Sequence, residues 1–117
     1  REALFGVRRY GQFARNLGIP RPTLSARLRS LVDSGLLERV KYSNDRYEYR
    51  LTEAGRELFG AAAMLMRWGD RYLAGPEGPP IVLRHHPCGQ IATPTLTCAE
   101  CGGEITPYNV TPEPGTP

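Results

Sequence analysis

The chain has 117 residues, a net charge of +3, and 40% hydrophobic and 23% charged side chains, the balance of a soluble domain with room for a small appendage. No apolar run approaches the roughly 18–20 residues of a membrane span and no secretory leader opens the chain, so no membrane partner and a cytoplasmic location are expected. The charge is uneven: residues 1–50 carry eleven basic and five acidic side chains, a balance of +6, and residues 51–117 four basic and seven acidic, a balance of −3. A basic half joined to an acidic one points to a polyanionic partner for the first. All the basic residues but Lys41 are arginine, whose forked donors suit phosphate and guanine edges, although GC-rich coding gives the same bias.

Arg1 to Gly6 reads as the end of a helix, which predicts a further segment upstream. Tyr10 to Leu17 fits a short amphipathic helix with Phe13, Ala14 and Leu17 on one face. Gly18 ends it, because glycine takes the positive φ of that position at no steric cost. Ile19 plugs the turn. A second helix starts near Arg21-Pro22, where proline forfeits only an N–H that has no helical partner. Leu24, Leu28, Leu31 and Val32 fall within about 100° of arc, one buried stripe, and Gly35 closes the helix. A hairpin follows, Leu37–Tyr42 and Tyr47–Leu51, with Ser43 to Arg46 as its turn. In its second strand Tyr47, Tyr49 and Leu51 alternate with Glu48 and Arg50. Thr52 caps a long helix over about 53–73, whose Gly55, Gly60 and Gly69 predict close backbone approach, such as to a partner subunit. Residues 75–80 are a Pro/Gly linker, 81–110 a β-prone segment, and 111–117 a frayed tail. No internal repeat is evident.

Helix, glycine turn, helix and hairpin is the pattern of a winged helix-turn-helix. A major groove roughly 12 Å wide admits one helix with small or polar residues outward, and the face with Thr23, Ala26 and Arg29 meets that need. Arg29 reaches phosphate or guanine, while Thr23 and Ser25 offer hydroxyls. Asn44 and Arg46 at the hairpin tip would follow the backbone or enter the minor groove. The bland alternative is a solvated helix face and an ordinary surface hairpin. The +6 charge of the same segment favours double-stranded DNA as the partner.

The stretches FGVRRYGQF, LSARLRSLVDSGLLER, YEYRLTEAG and RWGD, in order over residues 4–74, resemble the HxlR-type transcriptional regulators, winged-helix proteins of bacteria related to the MarR group. The resemblance implies a homodimer on an inverted-repeat operator. It places Arg21, Thr23, Ser25, Ala26 and Arg29 on the recognition helix, and Lys41, Asn44 and Arg46 on the wing. The N-terminal helix that carries a redox-sensing cysteine in some members would precede Arg1. Pro22 is unusual at a contact position. The long helix supports a dimer independently, with Ala54, Leu58, Ala61, Ala62, Leu65, Trp68 and Tyr72 giving more apolar face than so small a domain covers.

The β-prone segment holds His85-x-x-Cys88-Gly89 and Cys98-x-x-Cys101-Gly102, two knuckles in the pattern of a zinc ribbon with His85 in place of one cysteine. Two intervening residues let both side chains point at one metal, and the glycine lets the backbone turn beneath it. His/Cys₃ is a closed tetrahedral set, so zinc would be structural. His86 is the alternative histidine. A redox-active Cys98–Cys101 pair, a structural disulfide or a metal-free remnant are the competing readings.

The fold class expected is therefore mainly α with a β-hairpin wing, plus a small zinc-ribbon-like β appendage at 81–110 behind a DNA-binding domain at 1–74. The function expected is transcription regulation. A winged helix used for protein contact, with the ribbon as its docking surface, is the alternative. No catalytic constellation points to an enzyme. A small-molecule effector would sit in an apolar cavity between the long helix and the winged domain, lined by Trp68 and Tyr72, unless those rings are core.

Overall fold

The computed structural model describes residues 1–116 and divides into two units, Arg1–Ala62 and the residues from Ala63 on. In the first, a 3₁₀ turn over Glu2–Phe5 ends at Gly6, which has φ 94°. Helix α1 spans Tyr10–Leu17 and α2 spans Arg21–Asp33, with Gly18 left-handed at φ 61° between them. Pro22 sits in the first turn of α2. The end of α2 is a Schellman turn: Leu36 N–H donates to Leu31 O and Gly35 N–H to Val32 O, with Gly35 at φ 80°. Both glycines thus stop a helix where the sequence needs it to stop.

Phe13 of α1, Leu24 and Leu28 of α2, and Leu37 are buried together, and Val7, Tyr10, Ile19, Val32, Tyr49 and Leu51 pack around them. Each such side chain contributes about 2 kcal/mol on leaving water. Leu31, expected in the stripe, is at its edge and partly exposed.

Strands β1 (Leu37–Ser43) and β2 (Arg46–Leu51) pair antiparallel, with Leu37 opposite Leu51 and an irregularity between Lys41 and Ser43. The turn is tighter than expected: only Asn44 and Asp45 lie between the strands, and Asp45 takes φ 52°. Tyr49 N–H donates to Arg8 O at 2.7 Å, so the chain before α1 also meets β2. Glu48 is the buried residue of β2, at 7% exposure, while Tyr47 is exposed. Of the alternating set Tyr47, Tyr49 and Leu51, only Tyr49 and Leu51 pack against the core. Arg50 makes the burial of Glu48 tolerable, its guanidinium holding the carboxylate at 2.6 Å.

The single helix expected over 53–73 is interrupted. Helix α3 covers Glu53–Glu57 and α4 covers Phe59–Tyr72, with Leu58 N–H tightening onto Gly55 O between them. The entry to α3 is clamped to the end of α2. Thr52 Oγ1 donates to Gly35 O and accepts from Gly55 N–H, and Thr52 N–H donates to Leu36 O. Thr52→Ala is expected to cost about 1–2 kcal/mol through loss of this cap. A lower urea midpoint with an unchanged slope would register it.

In the second unit, no described residue beyond Ala63 is buried. The segment expected to be β-prone forms single antiparallel bridges, Arg84 with Ile91 and Thr97 with Glu104, in place of extended strands. These bridges extend the pairing of the two Cys-Gly knuckles to the backbone. Ala92 N–H donates to Leu83 O, His85 N–H to Gln90 O, and Gly89 N–H to His85 O. Thirteen residues on, Ile105 N–H donates to Leu96 O, Cys98 N–H to Gly103 O, and Gly102 N–H to Cys98 O. Gly89 and Gly102 are left-handed at φ 70° and 74°. The same loop is built twice.

Candidate nucleic-acid interface

Helix α2 is oriented from behind by Tyr10, whose hydroxyl lies 3.2 Å from Arg21 O and 3.1 Å from Ser25 Oγ. Arg21, Pro22, Ala26, Arg29 and Ser30 form its exposed face, while Thr23 is half-buried. Ser25 is also half-buried and its hydroxyl is engaged by Tyr10, so it serves to hold the helix. On the wing, Lys41, Asn44 and Arg46 are exposed. The face of the hairpin that packs Leu37, Tyr49 and Leu51 at its base carries Arg39 and Lys41 farther out, by the alternation of a strand.

Two clefts connect these elements. Ser25, Arg29 and Val32 of α2 line one cleft together with Arg39 and Tyr49 of the wing, so a guanidinium stands on each wall. Arg9 at the N-cap of α1, with Gln12 and Arg15 within the helix, shares a second cleft with Tyr42, Arg46 and Tyr47. Aromatic rings brace two of these arginines: Arg9 lies 4.4 Å over Tyr42 and Arg39 lies 3.9 Å over Tyr47. Such stacking fixes a guanidinium without neutralising it, which leaves its outer donors free for an anion. Arg9, Arg15 and Arg39 were missed by motif reading; their signal was present only in the count of basic residues before position 50.

The predicted metal ligands form two pairs. Cys88 Sγ stands 3.4 Å from His85 Nδ1. At the second knuckle, backbone N–H groups of Cys101 and Glu100 point at the Cys98 sulfur and, with the Cys101 thiol, hold its pKa below the usual value. Among the described residues no disulfide links the three cysteines, and no three His, Cys, Asp or Glu side chains gather closely enough to hold one metal ion.

Helix α4 presents two different faces in the second unit. Ala63, Met66, Arg67 and Asp70 line a cleft of about 360 Å³ with residues 81–83 and 91–94, and Arg67 donates to Pro94 O at 2.7 Å. On the other side Leu65, Trp68 and Tyr72 are exposed by 71%, 56% and 60%, with Leu73 beside them at 73%. Trp68 and Tyr72 are therefore not core, one of the two expectations for them; their rings meet at 5.4 Å, tilted by 46°. Gly60 and Gly69 have open space around them, and the close approach expected of these glycines occurs only at Gly55, against the chain's own Leu36. None of the described helices is long and apolar enough to cross a membrane.

A three-element core presenting a helix with a basic, small-residue face, flanked by a basic hairpin, defines a winged helix-turn-helix. The HxlR-like helix-turn-helix family matches over residues 1–77, and the chain belongs to that family. Uncharacterised HTH-type transcriptional regulators of Mycobacterium tuberculosis (Rv3095) and Mycobacterium bovis (Mb3122) are each 70% identical to it over 117 residues, covering 98% of this chain and 74% of theirs. Among solved structures, PA1607, a proposed transcription factor, is similar with a TM-score of 0.85 and 30% identity, over 97% of this chain and 80% of that one. PA1374 of Pseudomonas aeruginosa, also a proposed transcription factor, has a TM-score of 0.69 and 32% identity, over 98% and 79%.

Proposed function

We propose that the protein is a sequence-specific, DNA-binding transcriptional regulator that acts as a homodimer on an inverted-repeat operator. The observation that carries this reading is the pairing of Arg29 and Arg39 across one cleft, with the exposed face of α2 on one side and the wing on the other. In this reading α2 enters the major groove, with Arg21, Ala26 and Arg29 toward base edges. Lys41, Asn44 and Arg46 follow the flanking backbone. Thr23 and Ser25 contribute at the margin. Regulation follows from occlusion or recruitment at a promoter, without enzymatic chemistry, in the cytoplasm. The exposed stripe of Leu65, Trp68 and Tyr72 is the dimer face. The cleft beside Met66 and Arg67 is the place for a small-molecule effector. Residues 81–110 are a small zinc-ribbon-like appendage.

Replacing Arg29 and Arg46 together by alanine tests the reading. Operator affinity is expected to fall by about two orders of magnitude, at about 1–3 kcal/mol per lost contact. The slope of log affinity against log salt should become shallower by about one, for the phosphate contact of Arg46. Fluorescence anisotropy across a salt series on genomically selected DNA reads both. Unchanged affinity and slope would overturn DNA recognition by this face and favour a winged helix used for protein contact.

A further inference from the structure

The cleft between α1 and the wing lies outside the face of α2 that is assigned to base edges. We infer that this cleft seats backbone phosphates of the bound duplex, with Arg9 and Arg15 as contacts that hold the protein in register without reading sequence. The inference rests on the DNA-binding reading and adds a second surface to it, on the first helix of the helix-turn-helix pair.

The lining is the first argument. Arg9, Arg15 and Arg46 bring three guanidinium groups to one cleft, and no carboxylate lines it. None of the three is in an ion pair among the described residues, where the pairs formed are those of Arg1 and Arg50. Like charges gathered in one cleft repel one another, and an anion between them removes that repulsion. These side chains are exposed, yet two of them are placed. Arg9 lies 4.4 Å over the ring of Tyr42, which is itself half-buried. Arg15 turns back along α1, its Nη1 standing 3.3 Å from where a Cβ on Gly11 would be, so glycine at that position leaves the guanidinium room against the helix. Gln12, Tyr42 and Tyr47 add an amide and two hydroxyls, donors of the kind that meet phosphate and sugar oxygens.

Continuity with the cleft of Arg29 and Arg39 is the second argument. Tyr10 lines the α1 cleft, and its hydroxyl is 3.1 Å from the Oγ of Ser25, which lines the other. Tyr47 also lines the α1 cleft and carries the Arg39 guanidinium 3.9 Å over its ring. The two clefts therefore adjoin both at the helices and at the wing. Their basic lining runs on from α2 to the start of α1 and the hairpin tip. A small anion needs one such cleft, whereas arginines continued through two match a polyanion laid along both. At about 570 Å³ the α1 cleft is broad and open, which suits a backbone passing through it better than a single enclosed ion.

Arg9→Ala combined with Arg15→Ala, in the full chain, tests the inference. Anisotropy over a salt series is read on a genomically selected operator and on an unrelated duplex of equal length. Affinity is expected to fall about tenfold on both, leaving their ratio unchanged, with the slope of log affinity against log salt shallower by about two on each. Lysine at both positions should restore the slope, which a merely structural loss would not allow. Neutral methylphosphonate linkages beside the half-site should weaken binding of the unsubstituted protein and leave the double-alanine variant indifferent at the same positions. An unchanged slope in that variant, a loss confined to the operator, or equal sensitivity of both proteins to methylphosphonate overturns the inference. An unsubstituted chain that holds both duplexes equally overturns the operator reading alone, since the alanine variant still reports the phosphate contacts on either duplex. A chain that holds neither duplex overturns both.

Discussion

Leu65→Glu combined with Trp68→Glu is expected to leave the protein monomeric and to weaken operator binding by about two to four orders of magnitude. The two side chains stand on one stripe of α4 with Tyr72, opposite the face that packs on residues 81–94. In a monomer the stripe faces water, so glutamate there disturbs little. In a dimer each apolar side chain buried contributes about 1.5–3 kcal/mol, and an unpaired carboxylate at its place adds a desolvation cost. In the proposed dimer the linkage of two winged helices makes the second operator contact intramolecular, and the variant would lose that linkage. Sedimentation equilibrium reads the assembly, and anisotropy on full and half operators reads the linkage. Half-site affinity should be unchanged. A variant that remains dimeric, or a monomer that holds the full operator as tightly as the unsubstituted protein, would sink the assignment of this stripe.

Gly55→Ala is expected to destabilise the first unit by about 3 kcal/mol, although alanine is the better helix former by about 1 kcal/mol. A Cβ at Gly55 would stand 2.2 Å from Leu36 O and 3.0 Å from a methyl of Leu51. That carbonyl cannot step aside freely, since it accepts the Thr52 N–H in the clamp between α2 and α3. Gly60→Ala, where a Cβ meets open space, supplies the control and should be neutral or slightly stabilising. Urea unfolding of the three proteins gives the comparison. Equal stability of Gly55→Ala and Gly60→Ala would show that the Leu36 contact relaxes at little cost.

The helix-turn-helix was legible in residues because its signals are local. Gly18 and Gly35 take the positive φ that their positions require, and Leu24 and Leu28 fall at helical spacing on the core. The features that escaped are set by contacts that only the folded chain makes. Glu48 reads as a solvent-facing charge until Arg50 is seen to neutralise it within the hairpin. Ser25 reads as a free hydroxyl until Tyr10, fifteen residues earlier, takes it up. The break at Leu58 reflects a single tightened backbone bond in an otherwise helical run, which no periodicity records. The duplication of the knuckles was legible in part, in Cys88 with Cys101 and Gly89 with Gly102. Its other members, Arg84 with Thr97 and His85 with Cys98, share backbone hydrogen bonds and little side-chain character. The arginines of the candidate interface were legible as a charge balance but not as individuals, because Arg39 and Arg9 acquire their placement from Tyr47 and Tyr42.

Trp68 is the chain's one tryptophan, and it stands in the middle of the exposed stripe of α4, its ring meeting that of Tyr72. Excited at wavelengths that tyrosine does not absorb, the protein therefore emits from a single place. Its colour and its quenching report what covers that stripe, with no contribution from the winged helix or the knuckles. The fold thus carries a built-in optical gauge of its own candidate contact surface, one that needs no label.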